Sequence, residues 1–138
     1  MQEHYNELAF FTLNLHDDRF VHQYVVDAFT CQYADDNTKP ISLTFALAGL
    51  YLFIEKGYSG REVQKFHTLM SKRKMAWPNF IVPSYQELHV DISSVIACND
   101  QNERIELIEK WCAGVWEVNK ENHDKVEDLV RNYLGCKK

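Results

Sequence analysis

Six histidines in a 138-residue chain of net charge −5 are the first residues whose chemistry invites a function, because neutral imidazole is the commonest metal ligand. Their spacing excludes the local metal motifs: there is no H-E-x-x-H, no H-x-x-x-H and no Cys/His cluster. His4 and Glu7 stand three apart, a weak pair. His22 and Asp27 are five apart, about 140° around a helix, and cannot grip one ion from a single face. A metal site must then be assembled across helices, as sites in bundle cores are. His22, His67 and Glu55, with His4 or water completing the shell, make such a site for a divalent transition metal. Glu55 is the one acid in the apolar stretch 41–56 and sits near its C-terminal end. There the helix dipole disfavours a carboxylate unless a cation or histidine offsets it. The competing expectation is that each histidine hydrogen-bonds a main-chain carbonyl or a neighbouring acid, with Glu55 projecting past the end of the bundle.

Catalytic constellations are harder to build. The sequence holds no G-x-S-x-G elbow and no phosphate-cradling glycine loop. Cys31, between Thr30 and Gln32, reads as a structural thiol inside a helix, and the pairs Asp17–Asp18 and Asp35–Asp36 fall in turns where capping explains them. Charge is distributed unevenly: −6 over residues 1–55, +5 over 56–75 and −4 over 76–138. The basic island comprises Arg61, Lys65, Lys72, Arg73 and Lys74 on an expected helix 60–75, the last three in its final turn, where cations complement the dipole. Functionally, the same helix is a docking face for an acidic partner, a second copy of the chain or an anionic ligand. A non-catalytic interaction module, self-associating or docking through helix 60–75, is therefore the alternative to a small-molecule or metal-binding domain with a polar pocket near His22, Glu55 and His67. One cationic helix without interleaved aromatics, in an acidic chain, argues against nucleic acid. Trp111 and Trp116 are five apart and face different directions, so at least one is expected beside a groove or interface.

Helical periodicity dominates the elements that must position these groups. His4, Leu8, Phe11 and Leu15 share one face of a first helix from Gln2 to Leu13. Asp17 or Asp18 caps a second, from Arg19 to Ala34, whose exposed stripe should be Arg19, Gln23, Asp27 and Thr30. Val21, Val25, Ala28 and Gln32 lie opposite, which makes Gln32 a buried polar residue in need of a partner. Thr38 is the expected N-cap of a third helix, with Pro40 in its first turn. From Ile41 to Lys56 nearly every position is apolar or small, the mark of a helix in the middle of a bundle, and Gly57 can end it in the left-handed region. Ser59 to Glu62 is a capping box that opens a fourth helix reaching Met75, with Val63, Phe66, His67 and Met70 inward. Residues 79–90 are the least helical and predict a short extended ribbon, Phe80–Val82 against Leu88–Val90. Asp91 caps a short turn to Ala97, and Asp100 with Glu103 starts a long helix whose core stripe is Ile105, Ile108, Cys112, Val115 and Trp116. A polar break at Asn119–Asp124 precedes a last helix, Lys125 to Leu134, with Gly135 after it. The sum is an all-α bundle of about six helices forming a single domain over residues 1–138.

Composition agrees. Hydrophobic residues make up 46% of the chain against five Gly and three Pro, enough to bury a core and too much for disorder. Cys31, Cys98, Cys112 and Cys136 form no ligand-type pair and read as reduced thiols, with Cys31 and Cys112 packed as small hydrophobes. The first residues lack a basic, cleavable leader pattern, and the longest apolar run, Leu43 to Ile54, is about half of the ~20 residues a membrane span needs. A cytoplasmic location follows as the expectation, with no membrane association.

The segments FVHQYVVDAFTCQYAD, TKPISLTFALAGLYLFIEKGYSGREVQKFH and WCAGVWE resemble an uncharacterised family of small bacterial helical proteins. Its members share an HQ-x-x-VDA helix, a GLYL helix and a W-C-x-x-V-W helix. The likeness spans roughly residues 5–125 and implies the helical fold without an activity. Some relatives carry a Cys-rich, zinc-ribbon-like element ahead of this domain; these residues hold none, so no role of such an element carries over. The matching positions that stand out are His22, Gln23, Asp27, Gln32, Glu55, Gly57 and His67. Gln23 and Asp27 fall on the stripe expected to be exposed; if that stripe faces a groove, they join Gln32 as ligand-binding candidates.

Overall fold

Pro40–Lys56 forms the central helix (α3), and its composition explains the position: from Leu43 to Leu52 all but one residue is buried. Four neighbours enclose it: α2 (His22–Gln32), α4 (Gly60–Ser71), α6 (Gln101–Val118) and α7 (His123–Gly135). The remaining α-helices, α1 (Gln2–Leu13) and the short α5 (Ile92–Ala97), pack against one another and against α2 and α6 respectively. A single 3-10 turn, Lys120–Asn122, links α6 to α7. The computed structural model describes residues 2–15, 17, 19–73 and 77–135. Within them are seven α-helices and no strand, an all-α bundle with one contiguous apolar core. Leu47, Leu50 and Leu52 are fully buried there, each contributing roughly 1.5–3 kcal/mol by leaving water.

Local signals set most boundaries. Ser59 Oγ accepts from Glu62 N while Glu62 Oε1 accepts from Ser59 N, the expected capping box. Asp91 and Asp100 cap α5 and α6 through the amides of Ser94 and Glu103. Gly57, at φ 71°, takes the left-handed conformation and ends α3. Cys31 and Cys112 are buried free thiols, as expected, and Cys98 is free and half-buried. Asp18, Lys74, Met75 and Cys136 lie outside the described residues.

Several expectations are corrected. The second helix begins at His22 rather than Arg19, because Phe20 turns through the left-handed region at φ 55° and Asp17 Oδ2 accepts from Val21 N ahead of the helix. Thr38 does not cap α3: its hydroxyl is drawn back to the Asp35 turn, and Lys39 stands at the N-cap without a side-chain bond. The fourth helix ends at Ser71, so Lys72 is its C-cap residue, Arg73 lies beyond it, and no cation occupies its last turn. No ribbon forms at 79–90. Asn122 accepts from Ile81 N at 3.0 Å and donates to Ile81 O at 2.7 Å, so a side chain takes the bonds a partner strand would supply. Trp111 and Trp116 are both buried, at 0% and 2% exposure, and neither lines the two clefts described below. Their indole N–H groups instead bond Gln32 and Glu55.

Candidate functional site

The largest correction concerns the stripe of α2 read as exposed. Gln23 and Asp27 are buried, at 8% and 3% exposure, because α4 lies over them. Two glycines allow the close packing around this stripe, one on α4 and one on α3. Gly60 N donates to Arg19 O at 2.6 Å, and a Cβ at Gly60 would stand 1.9 Å from Phe20 O. In the middle of α3, a Cβ at Gly49 would stand 1.9 Å from Asp27 Oδ2. A glycine inside a helix costs roughly 1 kcal/mol relative to alanine. Here it makes room for a carboxyl group.

That carboxyl is poorly served. Asp27 Oδ1 accepts from Gln23 Nε2 at 3.0 Å, while Oδ2 is buried with no hydrogen-bond partner. Burial pushes the Asp27 carboxyl well above the ordinary range, with the Gln23 amide pulling the other way, so the neutral acid is favoured. The only other buried side-chain oxygen or nitrogen without a partner among the described residues is the Tyr33 hydroxyl. An orphaned buried oxygen costs about 1–3 kcal/mol, and native chains keep few of them.

Gln23 connects this buried acid to the surface. With Gln64, Lys65, Thr68, Arg61 and His67 it lines a cleft of about 530 Å³ between α2 and α4. His67 Nε2 lies 2.7 Å from Phe45 O; a carbonyl only accepts, so Nε2 carries the proton and Nδ1 of the neutral ring is an acceptor. Burial lowers the His67 pKa, partly offset by that carbonyl, which keeps the ring neutral at pH 7. Neither Gln23 Oε1 nor His67 Nδ1 has a hydrogen bond, and neither is among the buried atoms lacking one, so each keeps some exposure, and both residues line the cleft. Arg61 and Lys65 are exposed on the rim, and the Arg61 guanidinium lies 5.3 Å from the centre of the Phe20 ring. The strained turn at Phe20 thus also supports a rim cation. The cleft offers acceptors on its floor and positive charge at its edge.

A larger groove of about 710 Å³ runs between residues 84–90 and α6, over Gly114. Its charged residues, Glu87, Lys110, Glu117 and Lys120, are all exposed and of mixed sign, and no buried polar atom lacking a partner is among its lining.

The four residues expected to share a metal are not brought together. His22 Nδ1 bonds Thr12 Oγ1 at 2.9 Å, and His4 Nδ1 lies 3.4 Å from Ser93 Oγ. His67 is held by Phe45 O, and Glu55 Oε2 accepts from Trp116 Nε1 at 2.9 Å. Among the described residues no three His, Cys, Asp or Glu side chains are grouped to hold a metal ion. The helices carry these four side chains to separate polar partners, which is why the assembled site fails. Gln32 does find the partner it needs, accepting from Trp111 Nε1 at 2.7 Å, and this takes it away from the cleft. Of the sequence candidates, Gln23, Asp27 and His67 converge.

Gln64, Thr68, Gly49 and Phe20 were not singled out by sequence. Gly49 carried a usable signal, since glycine inside an otherwise apolar helix marks a close approach. Phe20 carried none, because an aromatic residue rarely adopts positive φ. Gln64 and Thr68 follow only from knowing which face of α4 meets α2.

No helix among the described residues is long and apolar enough to cross a membrane. No curated protein and no solved structure matches the chain. The model of a family of unknown function, DUF5946, matches residues 2–120, which take in α1 to α6 and every residue lining the α2–α4 cleft, and the chain belongs to that family.

Proposed function

We propose that the protein is a small-molecule-binding domain whose ligand sits in the α2–α4 cleft. One observation carries this reading: a buried carboxyl with an unsatisfied oxygen, housed by a helix-interior glycine, is spent on fixing the amide that forms the cleft floor. An apolar residue at position 27 would serve the core better, so the presence of a carboxyl there points to the cleft. The volume lies within the ~300–1,000 Å³ usual for such sites, and the lining combines a few directed polar groups with two cations. Asp27 acts through Gln23, as a positioning residue. His67 contributes an acceptor held in one tautomer.

The test is a titration of isotope-labelled protein with a panel of neutral sugars, amino acids, small carboxylates and small phosphate esters, read by amide chemical shifts. The reading expects saturable shifts at Gln23, Gln64, His67 and Thr68 with at least one panel member. Shifts confined to the groove over Gly114, or none anywhere, would overturn it.

A further inference from the structure

We infer that the cleft takes a small anion that also bears a hydroxyl or ammonium group, the chemistry of a polyol phosphate or a short hydroxy acid. The inference rests on the cleft being the binding site and names what fits it. Two features of different sign lead to this class. On the rim, Arg61 and Lys65 stand one turn apart on α4 with exposed head groups. No acidic residue lines the same cleft to neutralise them. An anionic group there gains charge-assisted hydrogen bonds from both.

The floor has the opposite demand. Because Asp27 Oδ1 accepts from Gln23 Nε2, Oε1 is left as a free acceptor on a residue that lines the cleft. Because His67 Nε2–H is given to Phe45 O, Nδ1 is left as an acceptor. Two acceptors are satisfied by a ligand that carries a donor. A neutral polyol meets the floor but not the rim, sulfate, an anion with no proton to donate, meets the rim but not the floor, and a molecule with both groups meets each. Thr68 Oγ1 already donates to Gln64 O within α4, so it adds no donor for the ligand.

The probes are glycerol 3-phosphate, glycerate, sulfate and glycerol, titrated calorimetrically at low ionic strength, with amide shifts locating each. Either of the first two should bind in the cleft at least about tenfold more tightly than sulfate, with glycerol weaker still. Arg61→Gln with Lys65→Gln alters only exposed side chains and should weaken that ligand at least about tenfold. Gln23→Leu should erase its advantage over sulfate while sulfate binding persists. If glycerol or another neutral panel member binds in the cleft as tightly as the anions, the ligand class is overturned and the cleft reading stands. If sulfate matches the organic anions, the donor requirement is overturned. If no compound of the wider panel perturbs the cleft, both fall.

Discussion

Asp27 and Gly49 are a matched pair across the α2–α3 contact: the carboxyl occupies the volume a Cβ would need, with Val63 Cγ1 3.2 Å from that same point. Gly49→Ala should therefore destabilise by about 1–3 kcal/mol through overpacking, against a helix-propensity gain of about 1 kcal/mol. In an Asp27→Ala background the carboxyl clash is gone and only Val63 has to yield by a few tenths of an ångström, so the same Gly49→Ala change should cost much less or become neutral. Chemical denaturation of the four proteins in a double-mutant cycle checks this, and additivity of the two changes would remove the steric coupling. At this scale the sequence disclosed which residues were unusual but not what they met. Gln23, Asp27 and His67 stood out, yet Asp27 was placed in solvent, because helical periodicity cannot tell that a second helix covers a polar stripe. His22 and Glu55 went to Thr12 and Trp116, partners 10 and 61 positions away that no spacing rule identifies.

Element by element, the legible features were those encoded within one helical turn. The capping box at Ser59 and Glu62, the Asp91 and Asp100 caps and the Gly57 stop all depend on neighbours a few positions apart. Ser59→Ala should accordingly cost about 1 kcal/mol in denaturant unfolding, with an unchanged slope. The segment 79–90 was not legible, because its order comes from Asn122, 41 positions away from Ile81. Asn122 is itself bonded to Asn119 Oδ1, and Asn119 donates to the Tyr85 hydroxyl at 2.7 Å, which in turn donates to Cys31 O at 3.1 Å. This polar chain fastens the segment to α2 and α6. Asn122→Ala should speed hydrogen exchange at the Ile81 amide while leaving the α3 amides protected. Equal loosening of both would show the segment to be part of the core's cooperative unit.

For the whole molecule, buried titratable groups set opposing pH trends. Burial lowers the pKa of His22 and His67, so the unfolded chain takes up protons below about pH 6.5 before the folded one does. Stability contributed by these rings is present above that pH and is lost as pH falls toward their folded values. Asp27 works in the other direction: its pKa is raised by burial, so above about pH 3.9 the unfolded chain releases a proton that the folded chain keeps. Stability from the neutral carboxyl is therefore full at low pH and declines as pH rises toward the folded value, by up to about 1.4 kcal/mol per pH unit. Asp27→Leu removes this second trend and leaves the first, so the variant should lose stability on acidification from pH 7 to 5 more steeply than the parent.

The central claim, that Asp27 is retained for the cleft at the expense of the fold, is tested most directly by the unfolding free energy of the parent and Asp27→Leu from pH 4 to 8. The account predicts a variant more stable by about 1–2 kcal/mol at pH 7, with the difference widening as pH rises, because an orphaned oxygen has been removed. A variant less stable than the parent across the range would contradict it, and would make the carboxyl a structural part of the core.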